Sequence, residues 1–303
     1  MWIKKQILYK TDSYSSVPYA FHIGENVYRI FYTTRNFKGQ SLPYYVDSIV
    51  KNGNITLLNN FKGPILDLGE IGTFDDNGIT ASCIVKTDNL VYMYYIGWNV
   101  QVSVSYRLSI GLAISYDNGN TFVKYSEGPL LDRDIKEPYF NTAPFVIKED
   151  EWKMWYVSCT KWIIYNNKPE PIYNIKIATS DDGIFWKRKN TICIDYTDDL
   201  EAIGRPCVIK TNDYYEMFFS YRKSIDYREN KKNSYKIGKA FSLDGIKWDK
   251  KKDLDIIKKS NNGWDSKMTA YSHVFDHDGI RYMIYNGNHF GKNGFGYAVY
   301  EHK

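Results

Sequence analysis

The chain has 303 residues, 25% of them charged, and a net charge of +5. A charge this mild, with lysines spread over many segments rather than gathered in one stripe, excludes a nucleic-acid groove as the basis of function. No apolar run is long enough to span a bilayer, and the opening MWIKKQILYK lacks the apolar core of a signal peptide, so the expected setting is cytoplasmic.

The first nine residues, MWIKKQILY, form no hairpin of their own. From Pro18 the chain then repeats itself. Pro18 to Tyr32, Ser82 to Tyr95, Pro144 to Tyr156, Pro206 to Phe219 and Ser272 to Tyr285 are variants of one pattern, with starts 64, 62, 62 and 66 residues apart. Each copy is a short apolar run, a polar turn such as KTND or KEDE, and an aromatic run such as YEMFF or WKMWY, which is the signature of a β-hairpin. After the second, third and fourth copies a strand of small residues runs into a Ser-x-Asp turn closed by Gly and leaves through Phe122, Trp186 or Trp248. Glycine supplies the positive φ of such a turn, and the Asp side chain accepts its backbone N–H groups.

Four strands per unit and five units predict an all-β, five-bladed β-propeller spanning 1–303 as a single domain. The fifth unit stops after its third strand, Gly294 to Tyr300, and MWIKKQILY reads like the outer strands WKRKNTICI and WDKKKDLDI. Trp2 to Leu8 is therefore expected to complete the last blade and remove its open edge. Aromatics at 17%, including 28 Tyr and 8 Trp, suit sheet packing and carbohydrate stacking alike. The four cysteines show no metal-ligand spacing; Cys83 and Cys207 fall in equivalent inner strands and read as small buried thiols. No metal or cofactor is expected.

In a propeller the starts of the inner strands and the ends of the second strands converge on one mouth. Asp12 and Arg35 flank the first hairpin. Asp75 and Asp76 precede the second and Trp98 follows it. Glu137 and Asn141 precede the third, Glu201 and Arg205 the fourth, with Arg222 after it. Asp265, Lys267 and Tyr271 precede the fifth, His273 lies within it, and Asn286 and Asn288 follow. Each unit thus brings a carboxylate ahead of its inner strand, and such acids repel one another unless cations or a ligand separate them. Arg205 stands where other units carry Val17, Ala81, Ala143 and Tyr271, so it is expected to face the channel with a partner.

The turns ATSDDGIFW and AFSLDGIKW and the blocks FDDNGI, AIGRP, WDSKM and YNGN resemble the five-bladed propeller superfamily of glycoside hydrolases: arabinanases, β-xylosidases, invertases, levansucrases and β-mannoside phosphorylases. Within it the chain looks most like uncharacterised bacterial propellers related to the N-terminal part of plant glucosamine inositolphosphorylceramide transferases. The resemblance implies an Asp and a Glu flanking the sugar with a second Asp in support, and the matching blocks carry Asp76, Glu137, Glu201 and Asp265. The invertase blocks WMNDPNG and RDP are absent, which argues against a fructosidase, and VPYAF has only Asp12 upstream where an arabinanase carries its first Asp. Phosphorylase-like members hold phosphate with Arg, Lys, Tyr and His, the types of Arg205, Lys267, Tyr271 and His273.

These features lead to a glycan-active enzyme, with Glu201 as general acid, Asp76 as base or nucleophile and Asp265 orienting hydroxyls, the remaining mouth residues binding substrate. Two other readings stay open. One is a phosphorylase or transferase acting on a phosphorylated or nucleotide-linked sugar; the other is a non-catalytic glycan-binding propeller. The expected partner in every case is a carbohydrate or sugar phosphate.

Overall fold

Alternation of apolar and polar residues within short segments bounded by Gly, Asn and Asp produces strands almost throughout. The computed structural model describes residues 1–251 and 255–301; residues 252–254, inside the expected outer strand WDKKKDLDI, lie outside the described residues. Strand β1 (Trp2–Tyr9) precedes a first unit of β2 (Ser16–Gly24), β3 (Val27–Arg35), β4 (Ser41–Lys51) and β5 (Asn54–Leu57). The second unit is β6 (Gly78–Lys86), β7 (Val91–Val100), β8 (Tyr106–Ser115) and β9 (Val123–Lys124). The third is β10 (Asn141–Ile147), β11 (Trp152–Tyr165), β12 (Lys168–Ser180) and β13 (Lys187–Ile194). The fourth is β14 (Glu201–Lys210), β15 (Tyr215–Lys223), β16 (Lys236–Ser242) and β17 (Asp249–Lys250), and the last is β18 (Ala270–His277), β19 (Ile280–Asn286) and β20 (Phe295–Tyr300).

The third and fourth units are antiparallel sheets in sequence order. In the last sheet β1 pairs with β20 as the outermost strand, Trp2 opposite Tyr300 and Lys4 opposite Ala298. The first two units are joined into one sheet by a single parallel bridge between Ser41 and Gly78. The leading strands β2, β6, β10, β14 and β18 touch one another in that order, and β18 touches β2. Both faces of these sheets pack on neighbours, which is why Tyr94, Trp155, Phe218 and Met283 are buried.

The Ser-x-Asp turns fasten each unit to the one before. In the third unit Asp182 accepts the N–H groups of Ile184 and Phe185 at 2.8 and 2.9 Å, which shapes the turn. The Gly183 carbonyl then accepts the Tyr94 hydroxyl at 2.7 Å, and the Gly245 carbonyl accepts Trp155 Nε1 at 2.8 Å in the same way. Arg29 Nη1 does the same to Gly119 at 2.8 Å. These turns are architectural. Gly183 sits at φ 77°, and a Cβ there would lie 2.8 Å from the Tyr94 hydroxyl. Gly183→Ala is therefore expected to destabilise the protein by about 1–3 kcal/mol, seen as a lower urea midpoint, with ligand binding intact.

Every leading strand carries a bulge near its start, between Ser16 and Tyr19, Ala81 and Cys83, Thr142 and Phe145, Gly204 and Cys207, and Ala270 and His273. At four of these bulges a residue other than glycine has left-handed backbone: Val17 at φ 55°, Ala143 at 47°, Arg205 at 54° and Tyr271 at 55°. Such a bulge re-aims a side chain, and a β-branched or bulky residue held there is strained.

Candidate functional site

All four strained residues line one cavity of about 500 Å³ where the leading strands begin. Trp98, Tyr106 and Phe140 belong to its lining, with Trp98 and Tyr106 edge to face at 5.2 Å. Phe140 meets Tyr173 with ring centres 6.4 Å apart, and Tyr227, Tyr235, Tyr271 and Phe290 continue the aromatic lining, where the Tyr173 and Tyr235 hydroxyls share a hydrogen bond. Ser16, Ser41, Thr80, Thr142 and Ser220 add hydroxyls, and Arg35, Arg205, Arg222 and Arg228 add charge. No carboxylate lines the cavity among the described residues.

The arginines are held differently. Arg35 lies over the Tyr14 ring at 4.3 Å on the exposed rim. Arg222 is buried with its guanidinium 3.8 Å from the Tyr227 ring centre, donating to the Ser224 hydroxyl at 2.9 Å and to the carbonyls of Lys223 and Pro171 at 3.1 and 3.4 Å. Arg228 pairs with Glu170, which also accepts the Tyr227 hydroxyl at 3.0 Å. Arg205 lines the cavity, but no ion pair compensates it among the described residues. It is 5% exposed, and its Nη1 donates to the Ser82 carbonyl and hydroxyl at 2.9 and 2.7 Å. Burial pushes its guanidinium below the usual range.

The groups around Arg205 are neutral. Burial pushes the Cys83 and Cys207 thiols up to about 11 and about 12. His273 stacks on Tyr19 at 3.8 Å and accepts the Ala20 N–H through Nδ1 at 2.9 Å; burial, with the charge of Arg205, drives its ring well below the ordinary histidine range. His273 backs the site and does not line it.

The acids are engaged elsewhere. Asp75 accepts the Tyr95 hydroxyl at 2.9 Å and pairs with Lys124 at 2.8 Å. Glu137 accepts Tyr156 at 2.7 Å, Ser158 at 3.0 Å and Asn141 at 2.5 Å, with Lys176 and Arg188 each at 3.6 Å. Asp265 accepts Tyr285 at 2.9 Å and pairs with Lys4 at 2.5 Å. Glu201 takes the Thr197 N–H and hydroxyl at 2.7 and 2.9 Å and lies 3.4 Å from Lys250. One device thus recurs in four units: a carboxylate ahead of the leading strand, or at its first residue for Glu201, meets a cation of the outermost or adjoining strand, with a tyrosine of the second strand in three of them. Asp76 accepts the Gly72 N–H at 2.9 Å and Asn99 at 2.7 Å, shaping its own loop. The structure does not bring Asp76, Glu201 and Asp265 together in the cavity.

Asp12 and Lys267 are exposed and off the cavity. Asn286 is buried, accepting the Val17 N–H at 2.7 Å and donating to the Ser15 carbonyl at 2.7 Å, so it ties the last sheet to the first. Asn288 braces the loop before β18 by accepting the N–H groups of Lys267 and Met268 at 2.6 and 3.1 Å. Of the expected site residues, Arg35, Trp98, Arg205, Arg222 and Tyr271 line the cavity. Tyr106, Phe140, Tyr173, Tyr227, Arg228 and Tyr235 line it without having been anticipated. Most of them come from third strands and from the long β15–β16 connection, whose D-Y-R and S-Y-K runs are the signal for them in the sequence. No helix is long and apolar enough to cross a membrane, and no cluster of His, Cys, Asp or Glu among the described residues is placed to hold a metal ion.

No family model matches the chain. It is 33% identical over 292 residues to "Uncharacterized protein MT1551" of Mycobacterium tuberculosis (strain CDC 1551 / Oshkosh), a match covering 95% of this chain and 93% of the mycobacterial one. The chain belongs to the family of that protein. Among solved structures it is similar to one described as "Glycoside hydrolase", with a TM-score of 0.76 at 18% identity over 98% of this chain and 90% of the other. It is also similar to a thermostable family-43 glycoside hydrolase, with a TM-score of 0.70 at 19% identity over 95% and 88%. At these identities the likeness is one of fold: that of the propeller glycoside hydrolases.

Proposed function

We propose that the five units are the blades of one closed five-bladed propeller, with β1 as the outer strand of the last blade, and that the mouth cavity is a carbohydrate site. The observation that carries the second part is a cavity lined by a run of aromatic rings together with hydroxyl groups. Sugar rings offer apolar C–H faces to aromatic rings and hydroxyls to Ser, Thr and Tyr, and the volume falls within the usual 300–1,000 Å³ or so of small-ligand sites.

Glycosidic hydrolysis by two carboxylates needs both within the cavity, about 5–9.5 Å apart. Glu201, Asp76 and Asp265 are the candidate set for that chemistry, yet each spends its hydrogen bonds on the protein outside it. Glycan recognition is the function this geometry supports best. Titration of a panel of neutral mono- and oligosaccharides should show saturable binding that Trp98→Ala weakens about tenfold through lost stacking. A panel that shows no binding, or binding indifferent to Trp98→Ala, would overturn this reading. Turnover of an aryl glycoside that disappears in Glu201→Gln would install the hydrolase reading in its place.

A further inference from the structure

Arg205 presents a problem of charge. A guanidinium buried without a counter-ion is unfavourable, and proteins keep one only where something compensates it. The titratable groups that act on it, Cys83, Cys207, Tyr19, Tyr271 and His273, are uncharged at neutral pH. Its Nε is buried with no hydrogen-bond partner, and Nη2 takes part in no hydrogen bond among the described residues. Nε and Nη2 are the two parallel donors with which arginine grips an oxyanion, whereas Nη1, fixed on Ser82, holds the fork in place. Two more buried polar groups of the same cavity, Trp98 Nε1 and the Thr142 hydroxyl, also lack hydrogen-bond partners among the described residues. The backbone at Arg205 is left-handed at φ 54°, a strained conformation held at the wall of a cavity. Independent features therefore converge: an uncompensated charge, an unused fork, two unpartnered cavity groups and a strained bulge.

We propose that Arg205 is the seat of a phosphate group, so that the cavity's ligand is a phosphorylated sugar, its phosphate on the Nε–Nη2 fork and its ring against the aromatic lining. This inference rests on the carbohydrate reading of the cavity and names the class of carbohydrate. A phosphate monoester brings up to two negative charges and three acceptor oxygens, enough for the guanidinium fork and the Thr142 hydroxyl together. A uronic acid could also satisfy a fork, but its planar carboxylate has one oxygen fewer for Thr142.

The test is calorimetric titration of the full chain at low ionic strength with inorganic phosphate, glucose 6-phosphate, glucuronate and glucose, on the wild type and on Arg205→Met and Thr142→Val. Far-ultraviolet circular dichroism checks that each variant is folded. Saturable phosphate binding, at least tenfold tighter binding of glucose 6-phosphate than of glucose or glucuronate, and loss of that preference in Arg205→Met are the expected results. If Arg205→Met does not fold, Thr142→Val is expected to weaken phosphate severalfold, and a crystal grown with phosphate to show it on the Arg205 fork. Phosphate binding that Arg205→Met leaves unchanged, or phosphate density away from Arg205, overturns the proposal. So does glucose binding as tightly as glucose 6-phosphate, which would leave the carbohydrate reading standing. A wild type that ignores all four probes and the neutral panel defeats both readings.

Discussion

Deletion of Met1–Tyr9 is expected to abolish cooperative thermal unfolding and drive the protein to aggregate, as read by circular dichroism melting and size-exclusion chromatography. Strand β1 is the outermost member of the last sheet, and its loss would bare the whole edge of β20. It also takes away packing. Trp2 lies edge-on to Phe218 of the fourth unit at 6.2 Å and to Tyr300 at 5.3 Å, and Tyr9 stacks on Phe61 of the first unit at 4.4 Å. The segment thereby touches three units. Each large apolar side chain of this kind contributes up to about 1.5–3 kcal/mol through burial. Losing Lys4 would further leave Asp265, 1% exposed, without its cation, at a cost of about 3–5 kcal/mol. Together these match the whole stability of about 5–15 kcal/mol that a folded domain possesses. A truncated chain melting at the temperature of the full one would show that β1 is dispensable.

The strands were legible because the hairpin pattern recurs at nearly constant spacing, and a residue pattern repeated five times averages out local ambiguity. The likeness of MWIKKQILY to outer strands placed β1 correctly for the same reason. Arg205 was legible too, as the one charge at a position otherwise filled by Val17, Ala81, Ala143 and Tyr271. The same periodicity does not by itself assign a role to the acids. Anything that recurs in every unit invites a shared functional reading, yet recurrence is what an architectural clamp produces. The decisive partner was visible: Trp2-Ile3-Lys4, Phe122-Val123-Lys124, Trp186-Lys187-Arg188 and Trp248-Asp249-Lys250 are one aromatic-x-basic pattern in the outer strands. Its cations reach the carboxylates. The bulges, by contrast, were not legible. No residue type marks them, since Val17 and Ala143 are poor left-handed residues held there by neighbouring sheets.

Glu137→Gln separates clamp from catalyst, and the expected outcome is a loss of about 3–5 kcal/mol of stability with cavity binding unchanged. Glu137 is 2% exposed and is the focus of five groups: the donors Tyr156, Ser158 and Asn141 and the cations Lys176 and Arg188. An amide of the same shape keeps one acceptor oxygen and turns the other into a donor facing donors. It also leaves Lys176, 7% exposed, without its carboxylate. Breaking a buried ion pair from one side costs far more than the pair is worth when whole, because the surviving charge stays buried. For a chain of this size the loss corresponds to a fall in Tm of about 10 °C. The exposed Glu127 provides the control, and Glu127→Gln should change stability by no more than about 0.5 kcal/mol. A residue that acts chemically on a sugar would behave in the opposite way, with turnover lost and the melting curve preserved. Differential scanning calorimetry of Glu137→Gln beside Glu201→Gln and Asp265→Asn therefore discriminates between the two roles. Three lowered melting temperatures with the ligand still bound fix the carboxylates as clamps between strands. Three unchanged ones return them to the chemistry of the site.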